Sequence, residues 1–186
     1  MKCNEFKITD QYGIYFLTFT LVAWVDLFTR RQCSQILLDS FKYCQEHKGL
    51  KLYAYVIMGS HLHLIAAAKE GSQGLSAIIR DYKRFTSSQI IKWITDNPKE
   101  SRRAWLDLIF KYHAKFNSNN QTYQVWQQHN RPMWCFSRKF TFQKLNYIHN
   151  NPVKAGIVDR PEDYRYSSAR NYLNRNDSLI DVNLLD

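Results

Sequence analysis

The sequence predicts an α+β domain with a ferredoxin-like βαββα core and helices on one face of an antiparallel sheet. Three observations carry this. An aromatic and β-branched run, Ile14 to Leu21, precedes a helical period. Two further strand-like runs follow, parted only by Gly59-Ser60, and a second helical period comes after them.

Tyr15, Phe16, Thr18 and Phe19 within that first run suit a central strand. Thr29 is then placed to cap a helix whose apolar positions Cys33, Ile36, Leu37, Phe41 and Cys44 keep three-and-four spacing, and Gly49 sits at its expected end. Leu50 to Met58 and His61 to Ala68 read as a hairpin, Gly59-Ser60 suiting a type II′ turn. From Leu75 to about Ile94 a second helix is expected, with Leu75, Ile78, Ile79, Tyr82, Phe85 and Ile90 on its apolar side. Between Asn97 and Ser137 the pattern weakens to a short amphipathic piece near Trp105 to Tyr112 and a polar loop from Asn117 to Gln121. A third helix is predicted over Thr141 to Asn151, ended by Pro152. A short helix from Ser167 and a frayed tail complete the chain.

The length of 186 residues fits one domain, spanning 1–186, with a C-terminal extension from about residue 156. A hydrophobic content of 45% excludes a disordered polar chain. Lys and Arg number 26 against 16 acids, a net charge of +10, which points to a polyanionic partner, nucleic acid before membrane. Cys3, Cys33, Cys44 and Cys135 form no CxxC pair and read as reduced thiols. Neither a signal-peptide core nor a run of about 18 apolar residues is present, so a cytoplasmic protein is expected.

Two segments could carry chemistry. On a strand, His61 and His63 point the same way as Ile65, while Leu62, Leu64 and Ala66 point to the other side. Their Cα atoms lie roughly 6.6 Å apart, within reach of one divalent ion, although two such histidines serve equally to hydrogen-bond their neighbours. In Phe142 to Pro152, a stripe of Phe142, Leu145 and Ile148 is buried. Tyr147 and Asn151, four residues apart, stand together away from it with Gln143 and Lys144 nearby. By itself such a tyrosine is a packing residue as readily as a nucleophile.

Taken together the motifs resemble a family, the single-tyrosine transposases of the HUH nuclease class, especially the REP-associated tyrosine transposases. His61-Leu62-His63 has the form of the HUH signature, after the family-like run Ala54-Tyr55-Val56-Ile57-Met58. Tyr147-Ile148-His149-Asn150-Asn151-Pro152-Val153-Lys154-Ala155-Gly156 is similar to the family's YIHxNPVxAG helix, and Pro161-Glu162-Asp163-Tyr164 with Ser167-Ser168-Ala169 to its C-terminal signature. Two positions depart from it: Gly59-Ser60 stands where the family often has Pro-Asn, and Asn151 where some relatives have Gln.

The resemblance implies that Tyr147 is the nucleophile and that His61, His63 and Asn151 hold a magnesium or manganese ion. It implies cleavage and rejoining of single-stranded DNA through a 5′-phosphotyrosine, with hairpin (REP-like) DNA as partner, by a monomer or a homodimer. A non-catalytic nucleic-acid-binding descendant of the same fold is the alternative. For DNA contacts the basic helix side Arg80, Lys83 and Arg84, the segment residues Trp126, His129 and Arg131, and Lys144 are the candidates, since cations bind phosphates and aromatic planes stack unpaired bases.

Overall fold

The structure, a computed structural model, describes residues 7–117, 122–173 and 176–185. Cys3 and most of the polar loop ending at Gln121 lie outside the described residues. The elements are β1 (Tyr15–Thr20), α1 (Arg31–His47), β2 (Leu50–Ile57), β3 (His61–Ala68), α2 (Leu75–Asp96), α3 (Arg103–Ala114), β4 (Met133–Trp134) and α4 (Arg138–Lys154). Short 3-10 turns cover Pro161–Asp163 and Ser168–Leu173.

The four strands form one antiparallel sheet in the order β2-β3-β1-β4. β1 and β2 both flank β3, so they run in the same direction and need the α1 crossover between them. This is the ferredoxin-like order that the alternation of periods predicts.

Strand alternation divides the chain's apolar side chains between two cores. Tyr15, Leu17, Phe19, Leu62, Leu64 and Ala66 meet α1 and α2 in the larger one, which includes Phe41, Leu37, Ile78 and Tyr82. Phe16, Ala54, Val56, Met58 and Ile65 face the other way and meet Leu145 and Ile148 of α4. The helices therefore cover both faces, correcting the expectation of one. The cause lies in β1, where Phe16 is apolar on the side that the alternation turns away from α1. A bulge between Leu52 and Ala54 shifts the phase of β2, so that Leu52 and Tyr55, three residues apart, both enter the first core while Ala54 and Val56 enter the second.

Several local expectations are corrected by backbone bonding. α1 begins at Arg31 without a side-chain cap, because Thr29 sits in a preceding 3-10 turn and donates its hydroxyl to the Asp26 carbonyl. The Gly59-Ser60 turn is not type II′, since Gly59 is not among the positive-φ glycines. Its carbonyls instead accept the Phe28 and Leu21 amides, so the turn is shaped by the segment after β1. Phe85 is exposed, and Thr86 takes its place inward, bonded to the Tyr82 carbonyl. Trp105 to Tyr112 lies within α3.

Pro152 lies inside α4 and does not end it. The helix stops one turn later, where Gly156 at φ +68 donates to the Val153 carbonyl and Ile157 to that of Pro152. That pair of bonds is a Schellman ending, and it is the glycine that supplies the left-handed residue.

The C-terminal extension is anchored rather than frayed. It runs along the free edge of β2: Ile57 donates to the Tyr166 carbonyl, Ser167 bridges Val56, Tyr172 donates to the Tyr53 carbonyl, and Asn183 donates to that of Leu52. An exposed edge strand is thereby covered along its length. No helix among the described residues is long and apolar enough to cross a membrane.

Candidate active site

The site begins with the register of β1 on β3, which sets Thr18 opposite His63 and Thr20 opposite His61. All four side chains project toward the α4 face. The Thr18 hydroxyl and His63 Nδ1 are 2.9 Å apart and hydrogen-bonded, while the imidazole stacks on Phe16 at 5.4 Å between ring centres. These two contacts fix the plane of the ring. Burial, with smaller effects from His61 and Lys144, pushes the His63 pKa down to about 3, so its ring is neutral at physiological pH.

His61 is half-buried and lies edge-on to His63, with ring centres 4.9 Å apart. Its Nδ1 is 3.2 Å from the Ser60 hydroxyl, and desolvation lowers its pKa as well. The exposed indole of Trp24 packs edge-on against its outer side at 5.6 Å.

Tyr147 approaches from α4. Its hydroxyl lies 3.5 Å from His63 Nε2, and its ring meets the imidazole at 5.2 Å and Phe16 at 5.9 Å. The residue remains 38% exposed, so the phenol is not enclosed in the core. Leu145 and Ile148 on the adjacent stripe are buried against the sheet, which fixes the helix rotation that aims Tyr147. A second clamp comes from His149, whose buried Nε2 is hydrogen-bonded at 2.9 Å to Ser168 Oγ. That same serine accepts the Tyr55 amide of β2, so the extension ties α4 to the sheet two residues from Tyr147. Lys144 and Lys154 each stand 5.9 Å from the centre of the Tyr147 ring, so two cations flank the phenol.

The donor set fits a divalent ion. His61 and His63 supply neutral imidazoles, and in the tautomer where His63 Nδ1 donates to Thr18, Nε2 keeps its lone pair on the Tyr147 side. Asn151 is half-buried on α4, one helical turn past Tyr147, and carries an amide oxygen on the same side of the helix. Among the described residues no three His, Cys, Asp or Glu side chains gather where they could hold a metal ion.

The residues singled out for DNA contact fall in two places. Arg80, Lys83, Arg84, Trp126 and His129 line an open groove of about 980 Å³ between α2 and the 123–130 segment. Arg80 and Arg84 are exposed there, both within ion-pair reach of Asp81, and His129 and Arg131 are exposed. Trp126, by contrast, is 5% exposed, packed on Phe19 and Phe28 and donating its indole N–H to Thr86. It has no open face on which a base could stack. Lys83 is also turned inward. Its ammonium donates to the Gln127 carbonyl and to Asn130 Oδ1, and burial lowers its pKa to about 8. Lys144 lies apart from this groove, over Phe16 and Phe140 beside Tyr147.

Sequence reasoning missed Phe16, Thr18, Trp24, Lys154 and the His149–Ser168 clamp. Thr18 and Phe16 follow from the alternation that places the histidines, once β1 is paired antiparallel to β3. Trp24 and the clamp depend on chain reversals that no periodicity encodes.

No protein-family model matches the chain. A curated protein of Haemophilus influenzae, described as "Putative REP-associated tyrosine transposase", is 26% identical over 159 residues, covering 84% of this chain and 79% of that protein. A solved structure described as a REP-associated tyrosine transposase bound to a REP hairpin superposes with a TM-score of 0.60 and 20% identity, covering 97% of this chain and 93% of its own. The chain thus has a curated homologue described as a putative REP-associated tyrosine transposase and shares the fold of a solved structure described as a REP-associated tyrosine transposase.

Proposed function

We propose that this chain is a metal-dependent transposase and endonuclease for single-stranded DNA, acting beside a hairpin and passing through a 5′-phosphotyrosine at Tyr147. The observation that carries it is the 3.5 Å approach of the Tyr147 hydroxyl to His63 Nε2, with His61 alongside. A phenol from α4 and a histidine pair from β3, more than 80 residues apart in the chain, meet there at a half-open surface. The relative described as bound to a REP hairpin supports hairpin DNA as the partner class.

His61, His63 and Asn151 are the side chains that hold a magnesium or manganese ion in this reading, and two imidazoles favour manganese on ligand softness. Such an ion supplies neutralisation of a non-bridging phosphate oxygen. Lys144 and Lys154 add positive charge around the scissile phosphate. The Tyr147 oxygen forms its bond to phosphorus as the bond to the 3′ oxygen breaks, and the phenol proton leaves to solvent at this open position. The freed 3′ oxygen takes up a proton. Because the phosphotyrosine is itself an ester, another strand's 3′-OH reverses the step and joins the ends.

The test is incubation with hairpin-bearing single-stranded DNA and manganese, followed by a denaturing gel. Wild type yields a covalent protein-DNA adduct, and Tyr147→Phe yields none. DNA binding without an adduct at any metal or substrate would point to the non-catalytic descendant.

A further inference from the structure

The site is flanked by exposed aromatic rings that the chemistry above does not use. Next to His61 stands Trp24, 62% exposed. Beyond Tyr147, Lys144 sits 5.1 Å from the ring centre of Phe140, which stacks at 5.3 Å and 22° on Phe136, itself 67% exposed. The order Trp24, His61, His63, Tyr147, Lys144, Phe140, Phe136 is continuous, each pair of neighbours lying within 5.9 Å by ring centre or ammonium. It lies along β1, against the strand's chain direction, since His61 lies opposite Thr20, His63 opposite Thr18, and Lys144 over Phe16.

Trp24 is held at a cost. Ala23 and Trp24 have φ of 51° and 53°, two successive non-glycine residues in the left-handed region. Their turn is pinned by Leu21 donating to the Ser60 carbonyl, Val22 to that of Val125 and Trp24 to that of Leu21. A strained backbone that projects a large ring into solvent beside a reactive centre suits a ligand-binding ring better than a packing one. Charge favours a polyanion as occupant: no Asp or Glu occurs between Asp107 and Asp159, while Arg131, Arg138, Lys139, Lys144 and Lys154 do.

We propose, resting on the transposase reading, that Trp24 on one side and the Phe136–Phe140 pair on the other are base-stacking platforms that hold a single DNA strand across the His61–His63–Tyr147 centre, with Lys144 on the phosphate between them. Stacking tolerates any base, so these rings grip the unpaired strand and leave the hairpin to other surfaces. The α2 groove around Arg80 and Arg84 is one such surface.

The experiment measures fluorescence anisotropy of a labelled hairpin with single-stranded tails and of the same hairpin without tails. Trp24→Gly removes the ring and accepts the positive φ, and the double variant Phe136→Ala with Phe140→Ala removes the exposed Phe136 ring and the half-buried Phe140 ring under it. Each weakens binding of tailed DNA by about tenfold and leaves tail-less DNA unchanged. Trp24→Phe restores most of the loss, and melting temperatures report that folding is intact. Equal affinity of wild type and variants for tailed DNA, or an equal loss on both DNAs, overturns the proposal, as does a wild type with no preference for tails. If wild type shows the tail preference and the variants lose it, yet no adduct forms, the strand platform stands and the transposase reading falls.

Discussion

The two faces of the sheet are built from the same strands to opposite ends. On the α1 and α2 side, Tyr15, Leu17, Phe19, Leu62 and Leu64 are 1% exposed or less and the core is closed. On the α4 side, the alternate residues of the same strands are Phe16, Thr18, Thr20, His61 and His63. There one helix covers only part of the sheet through Leu145 and Ile148. The closed face stabilises the fold, and the partly open face spends burial on holding two imidazoles neutral and a phenol within reach. Desolvation acts in both places: it drives packing on one side and tunes chemistry on the other.

The sharpest way to break the comparison is to damage the closed face. Phe41 is 1% exposed, stacked on Tyr82 at 4.5 Å and tilted against Tyr55. Phe41→Ala should cost about 3–5 kcal/mol of unfolding free energy by urea titration, from lost transfer and a residual cavity. The folded fraction of that variant should still form adduct. Tyr147→Phe should do the reverse, with unfolding free energy changed by under about 1 kcal/mol and adduct gone. If Phe41→Ala lost the adduct at full folding, the two faces would not be separable.

How much of this was legible in the sequence follows the same division. The closed face is written in short-range periodicity, and β1, α1, the hairpin strands and α2 all lie within a few residues of where the period places them. The facing of His61 and His63 away from Leu62 and Leu64 needed only strand alternation. What the period could not encode was pairing. Phe16 belongs to the same strand pattern as Leu17, but its place against His63 depends on a register set by β3. Trp126 looks like an exposed aromatic among polar residues, yet an isolated bridge from Leu21 to Trp126 turns its ring inward. Lys83 lies on the basic side of α2 by spacing, and the returning 127–130 segment covers it. Pro152 reads as a stop because the residue before a proline resists helical geometry, whereas the glycine ending one turn later decides where α4 stops.

A smaller change sharpens the open face without unfolding it. Thr18→Val keeps the shape of the side chain and deletes the hydroxyl bonded to His63 Nδ1. The imidazole then loses the contact that fixes its tautomer and aim. The adduct-forming rate and the manganese concentration for half-maximal rate should worsen by about 10–100-fold. Thr18→Ser, which retains the hydroxyl, should recover most of both. An unchanged metal dependence in Thr18→Val would mean that Phe16 stacking alone orients the ring.

The mildest test uses acidity on the clamp of the open face. Burial pushes the His149 pKa down to about 4, below the 6.5 of the free side chain. Above about pH 6.5 the ring is neutral in both folded and unfolded chains, and stability does not respond to it. Between about 6.5 and 4 the unfolded chain binds a proton that the folded one refuses, so stability falls as pH falls, by about 1.4 kcal/mol per unit. His63, lowered to about 3 by the same cause, adds to the slope in the same direction. The lowered carboxyls of Asp26, Asp81 and Glu100 titrate below their ordinary values of about 4, so the range from about pH 6.5 to about 5 isolates the histidines. His149→Gln keeps a hydrogen-bonding group for Ser168 and removes one proton site. Its unfolding free energy should lose less than that of wild type between about pH 7 and about pH 5. Equal losses in the two proteins would mean that Ser168 holds a protonated His149 without penalty, and that the clamp is not the desolvated contact its burial indicates.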